Sequence, residues 1–231
     1  MQLTDATDAL SLTRQMIDIP SVSGEEGPLA DAVEAALRGA GFGSVDTLEI
    51  LRDGDAVCAR THLGLPQRVV LAGHLDTVPI AENVPGRLEV RDGVEVVWGR
   101  GSVDMLGGCA AALALACEAG ALIRGGAREA LTADVTWIFY DHEEVASHFN
   151  GLGRIQRLYP QWLAGDLALL GEPTAAHVEG GCNGTLRVIA HFPGRASHSA
   201  RAWMGVNAIH AMAPVIERIA AYGNPVVAVD G

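Results

Sequence analysis

Apolar positions in the first forty residues recur three and four apart, over 5–18 and again over 25–39, which predicts two amphipathic helices at the start of the chain. The second opens in SGEEGPLADAVEAAL, where Ser23 is read as a capping serine ahead of first-turn acids. After Gly43 the period shortens. The runs VDTLEILR, AVCART, RVVLAG, RLEV and VEVVW, separated by Gly, Asp and Pro, predict strands. A helix from about Met105 to Ala121, a strand in ADVTWIFYD, a helical segment around GLGRIQRLYPQWL and a strand in DLALLG complete the series. Strands alternating with helices predict an α/β fold with a mixed, largely parallel sheet flanked by helices. Composition changes at EGGCNGT, 179–185, ahead of a predicted strand LRVIAHF and a helix over Gly205–Tyr222. This places a domain boundary near residue 181, with 1–180 as one domain and 181–231 as the start of an α+β second. The last fifty residues are too few for an independent domain, so the second is expected to be cut short.

Composition narrows the chemistry. The chain has 231 residues, 49% of them hydrophobic, enough to bury a core. Sixteen basic residues face 28 acidic ones, and the net charge of −12 argues against nucleic acid and anionic membrane as partners while tolerating bound cations. There is no lysine, which removes Schiff-base chemistry, the phosphate-loop lysine and Ser/Lys hydrolysis. The start, MQLTDATDALSL, shows no signal-peptide pattern. Cys58, Cys109, Cys117 and Cys182 are widely spaced and are expected to be reduced packing residues of a cytoplasmic protein. CAAALALACEAGALI, 109–123, is too short to span a bilayer and contains Glu118, so a core helix is expected.

Ligands of open α/β sheets collect beyond the carboxyl ends of the strands. VVLAG runs into His74 and Asp76, VTWIFYD into His142, Glu143 and Glu144, and LALLG into Glu172, while GRGSVDMLGG places Asp104 at a glycine-rich turn before the long helix. Singly these are ordinary: a strand-end histidine is usually a hydrogen-bonded surface group, Asp104 could cap a helix, and paired glutamates are usually solvated. Their conjunction, each beside a run too apolar for the surface, points to one site. A histidine with oxygen donors and no cysteine suits zinc or a related divalent ion. Two ions about 3.5–4 Å apart need a bridging carboxylate. Asp104 is the candidate bridge, with His74 and Glu172 on one ion and Glu144 on the other. Asp76 is cast as the residue that orients the His74 ring. One of Glu143 and Glu144 can serve as ligand and the other as proton-transferring base; spacing leaves that choice open.

GHLDTVP, GRGSVDMLGG, DHEEV, GEPT and GRASHSARAWMGVNAIH together resemble the zinc-dependent family of aminoacylases, acetylornithine deacetylases, carboxypeptidases and succinyl-diaminopimelate desuccinylases. The resemblance runs essentially from end to end. Within the family, TVPIAENVP, YDHEEVASHFNGLGRI and LLGEPTAAHVEGGCNGTLRV are most similar to desuccinylases of actinobacterial type. It implies a zinc-peptidase-like catalytic domain and a lid or dimerisation domain. It further implies that His74, Asp104 and Glu172 hold one zinc, that Asp104 and Glu144 hold the other, and that Glu143 is the general base. Cobalt is a workable substitute for zinc. His198, in SHSA, is implied to sit on the lid, which pairs with a second subunit, and to stabilise the oxyanion in the partner's site. The implied reaction is hydrolysis of N-succinyl-L,L-diaminopimelate to succinate and L,L-diaminopimelate in the cytoplasm, serving lysine and cell-wall synthesis. The alternatives are another N-acyl amino-acid deacylase or carboxypeptidase of the family, or a catalytically inactive truncated fragment.

Three departures from the family pattern stand out. A basic residue common beside the bridging acid is absent, since Met105 and Leu106 follow Asp104. His142 replaces a smaller residue and is a candidate competitor for metal. Relatives also continue further and return with a histidine for the second zinc, a role that His177, His191 and His210 do not fill by position. The chain is therefore expected to be a fragment, a natural truncation or the product of an incomplete gene.

Overall fold

The computed structural model describes residues 2–4, 7–181, 186–223, 226 and 228. The chain divides into two compact units, Met1–Val178 and Glu179–Gly231.

In the first unit, α1 (Ala9–Ile17) begins where the Asp8 side chain accepts from the Leu10 amide. α2 (Gly27–Gly39) has Pro28 in its first turn, but Ser23 does not cap it. The Ser23 hydroxyl instead donates to the Asp76 carboxylate at 2.7 Å, and Glu26, at the cap position, makes no side-chain capping bond. β1 (Leu48–Asp53), β2 (Ala56–Thr61), β3 (Arg68–His74), β6 (Asp134–Tyr140) and β7 (Leu167–Leu170) form one sheet in the order β1-β2-β6-β3-β7. The β1–β2 and β2–β6 pairs are antiparallel, whereas β6, β3 and β7 run parallel. The sheet is therefore mixed.

Side-chain parity explains the layers. Trp137 and Phe139 of β6 and Val57 and Ala59 of β2 join the core under α1, α2 and α3 (Leu106–Arg124). Their neighbours Ile138, Tyr140, Ala56 and Cys58 face the opposite side, where Ile155 of α4 (Gly151–Leu158) and Trp162 pack. Both faces are thus covered, as strands without a solvent side require. α3 is long and apolar enough, by length and composition, to cross a membrane. It is a core helix here: Leu106, Cys109, Ala110, Leu113, Ala116 and Cys117 are buried, so one face is covered by protein while Leu115 on the other is exposed. Cys58, Cys109 and Cys117 are free and buried, and Cys182 lies outside the described residues. β4 (Arg87–Arg91) and β5 (Val94–Trp98) make a separate hairpin, joined by Asp92 and Gly93 at φ 53° and 80°. Two successive left-handed residues are what a tight two-residue hairpin turn needs.

In the second unit, a 3-10 turn over Ser199–Met204 precedes α5 (Ala208–Ala220), which Asn207 caps. The strand expected in LRVIAHF does not form over residues 186–192. β-branched propensity alone does not make a strand: the ladder needs a partner, and none lies beside this segment among the described residues.

Candidate metal centre

β3 lies between β6 and β7 in parallel register, pairing His74 with Tyr140 and Ala72 with Leu170. Three carboxyl ends therefore lie side by side, and the segments leaving them start from one edge of the sheet. The buried His74 ring has Nδ1 2.9 Å from the Asp76 carbonyl and Nε2 3.1 Å from the Asp104 carboxylate. A carbonyl can only accept, so Nδ1 carries the proton and Nε2 faces the acids. His74, Asp104 and Glu172 each bring a donor atom to within 4.8 Å of the others.

Close backbone approach fixes this group. A Cβ on Gly73 would come within 2.6 Å of Met105 Cε and 2.8 Å of Cys109 Sγ, so a side chain there would push these two aside where the start of α3 seats on the end of β3. A Cβ on Gly108 would collide with the Gly171 carbonyl, just before Glu172. Asp104 and Glu172 are brought together by this glycine-to-glycine contact.

Asp76 is fully buried and works mainly through its carboxylate. Its two oxygens accept from the Glu143 and Glu144 amides, each at 2.9 Å, and from Ser23. The His74 ring is held by the Asp76 carbonyl; the nearer carboxylate oxygen is 3.6 Å from Nδ1. Asp76 thus meets the ring, as expected of a residue that orients it, through its backbone carbonyl. The next amide upstream, His142, donates to Glu26 Oε1 at 3.1 Å. His142 adopts φ 60°, and its Nδ1 lies 2.9 Å from Asp141 and 3.5 Å from Glu26. Its ring is engaged by these acids, and it is not one of the three residues of the donor group. Arg154 closes the base of the loop with a bidentate pair to Asp141 at 2.9 and 3.2 Å, and Gly151 N donates to Asp141 O at 2.8 Å. Ser23, Glu26, Asp141 and Arg154 were not picked out by sequence reasoning. Ser23 gave the signal of a helix cap, and Glu26 and Asp141 resemble solvated charge.

Crowded acids set the electrostatics. Burial raises the Glu172 carboxyl above its ordinary value; His74 pulls it down and Asp104 and Glu143 push it further up. Burial likewise raises Glu144, helped by Asp104. For His74, burial opposes the charged ring, but the Asp76 carbonyl and the surrounding carboxylates outweigh it and raise the value. The His74 imidazole and the Asp104 and Glu172 carboxylates, with Glu144 and Glu143 acting on them electrostatically, are a group whose crowding a divalent ion would relieve.

His198 belongs to the second unit, where it is exposed and its Nδ1 accepts from the Ala200 amide at 3.1 Å. His177, His191 and His210 are exposed as well.

An imidazole and two carboxylates, gathered where β3 and β7 end and α3 begins, make a group able to hold a metal ion in a protein of the α/β class. The chain belongs to Peptidase family M20/M25/M40, whose profile matches residues 70–221. It is 48% identical over 224 residues to a Mycobacterium tuberculosis DapE protein, covering 97% of this chain and 58% of that one. It is 46% identical over 230 residues to the succinyl-diaminopimelate desuccinylase of Corynebacterium glutamicum, covering 97% and 57%. The chain thus spans rather more than half the length of the relatives it matches. A tripeptidase from Staphylococcus aureus shares the fold at a TM-score of 0.62 and 16% identity, over 94% of this chain and 57% of that one.

Proposed function

We propose that the chain is the metal-binding part of a dinuclear zinc amidohydrolase that cleaves N-succinyl-L,L-diaminopimelate to succinate and L,L-diaminopimelate. The observation that carries this is the convergence of His74, Asp104 and Glu172, with Glu143 and Glu144 held beside them by Asp76. Identity of 46% to a succinyl-diaminopimelate desuccinylase supports the choice of substrate.

The donor set fits zinc: one imidazole nitrogen and two carboxylates leave a position open for water. His74, Asp104 and Glu172 would hold one ion, and Asp104 and Glu144 the other. Bound there, zinc supplies acidification of a water and polarisation of the amide carbonyl. The chain's own residues do the rest. Glu143 removes the proton from the attacking water and returns it to the departing amine, so that one carboxyl is base and then acid. Asp76 fixes both glutamates through their amides, leaving their carboxylates free. His198 would stabilise the oxyanion across a homodimer formed through the 181–231 unit, and the enzyme would act in the cytoplasm.

Glu143→Gln in the full-length protein tests the assignment. Turnover of succinyl-diaminopimelate should fall at least ~100-fold, in line with loss of a general base, with zinc content unchanged by elemental analysis. Zinc lost in step with activity would reverse the roles of Glu143 and Glu144. Turnover of a peptide, and none of the succinyl substrate, would move the protein to the peptidase branch.

A further inference from the structure

The loop between α1 and α2 carries none of the proposed ligands, yet it reaches the site at two points. Ser23 donates to Asp76, and Glu26 accepts from the Gly24 amide at 2.8 Å and the His142 amide at 3.1 Å. The segment is stitched to the strand-end loop through Ser23 N to Thr77 O and Thr77 N to Ser21 O. Glu26 has no solvent exposure. A fully buried carboxylate is costly to keep unless its oxygens are used. It sits at the N-cap of α2 without making the side-chain capping bond that position usually serves, so its hydrogen bonding is directed elsewhere. The positive end of α2 lowers the cost of the charge. Glu26 and Asp76 together accept three successive amides, from His142, Glu143 and Glu144.

We propose that Glu26 is a positioning residue for the proposed base and second-ion ligand: with Asp76 it clamps the 142–144 backbone, holding His142 left-handed so that the next two residues present their carboxylates to the site. This rests on the roles proposed for Glu143 and Glu144, whereas the clamp itself is independent of metal. A neutral glutamine has one acceptor oxygen, so in Glu26→Gln an amide group must face either Gly24 N or His142 N.

The test combines amide NMR of the metal-free chain with zinc titration followed by native mass spectrometry. In Glu26→Gln the amide resonances of His142, Glu143 and Glu144 should move, while those of Leu63 and Leu65, which Asp134 holds, stay in place. The first zinc should bind within about twofold of the parent and the second at least tenfold more weakly. Glu26→Asp, which keeps both acceptors, should recover part of each change, as a residue that only supports folding would not. A folded Glu26→Gln chain with Glu143 and Glu144 resonances and second-zinc affinity unchanged would overturn the proposal, and so would equal weakening of both ions. If Glu26→Gln does not fold, Glu26→Asp decides by the same resonances. If the parent binds no zinc, the metal reading fails, and the Glu143 and Glu144 resonances alone decide the clamp.

Discussion

At the scale of the residue, proton occupancy links the site to stability. The folded value of His74 lies above its ordinary 6.5, so the charged ring contributes stability that is fully present below pH 6.5 and is lost as pH rises through the folded value. Glu144 and Glu172 are raised above 4.5, so their neutral forms also stabilise the fold at low pH, and that contribution disappears as they ionise. Asp134 acts in the opposite direction. Burial disfavours its charge, but hydrogen bonds from Thr61, Leu63 and Leu65, with Arg68 nearby, hold the carboxyl below 3.8. That stability is present above pH 3.8 and is lost as pH falls through the lowered value. The metal-free protein should therefore be most heat-stable in mildly acid solution and lose stability towards pH 8. Zinc needs the ligands deprotonated, so the rise it produces in Tm should grow over that same interval. Circular-dichroism melts with chelator or zinc at pH 5, 6.5 and 8 check this; a metal-free midpoint that climbs steadily to pH 8 would contradict it.

At the scale of the element, the strands were legible where an apolar or β-branched run is bounded by turn residues, whether the strand is buried, as β6 is, or exposed, as β4 and β7 are. RVVLAG, ADVTWIFYD and DLALLG fell within a few residues of β3, β6 and β7 because hydrophobic length and turn residues are local signals. Their carboxyl ends then gave away His74, Glu172 and the 142–144 segment. Ser23 and Glu26 were not legible, because their partners lie 53 and 116 residues away and a serine before acids fits a helix cap equally well. LRVIAHF misled for the complementary reason: strand character without a neighbour is only propensity. The packing of α3 is equally non-local. Gly108 looks like a weak point in a helix, yet it is where the helix meets Gly171. Gly108→Ala should lower stability by about 1–3 kcal/mol through overpacking, and weaken first-zinc binding, since Asp104 and Glu172 are spread apart. Gly39→Ala, in α2 with open space around the added methyl, should be neutral or stabilising. Chemical denaturation and zinc titration of both variants provide the check. Equal effects at the two glycines would mean that the contact has no special role.

At the scale of the whole molecule, the buried hydrophobic residues among those described all fall between Leu12 and Trp162, inside the first unit. The described part of the second unit has no buried residue, while Leu186, Val188, Ile189, Ile209, Ile219 and Tyr222 are all exposed. Apolar surface on this scale contributes no core and favours association. The proposed ligands share the same distribution, because His74, Asp104, Glu144 and Glu172 all precede Val178. A chain ending at Val178 is therefore expected to keep the cooperative unfolding transition, with a midpoint within a few degrees of the parent. It should bind the first zinc with unchanged affinity, and stay monomeric at concentrations where the 231-residue chain associates. Calorimetry, zinc titration and sedimentation of the two chains side by side test this. Loss of the transition in the shorter chain would mean that the second unit contributes to folding through more than the side chains it buries. Loss of zinc with the transition intact would mean that a donor from residues 179–231 belongs to the first ion's shell, and the ligand set of His74, Asp104 and Glu172 would have to be enlarged.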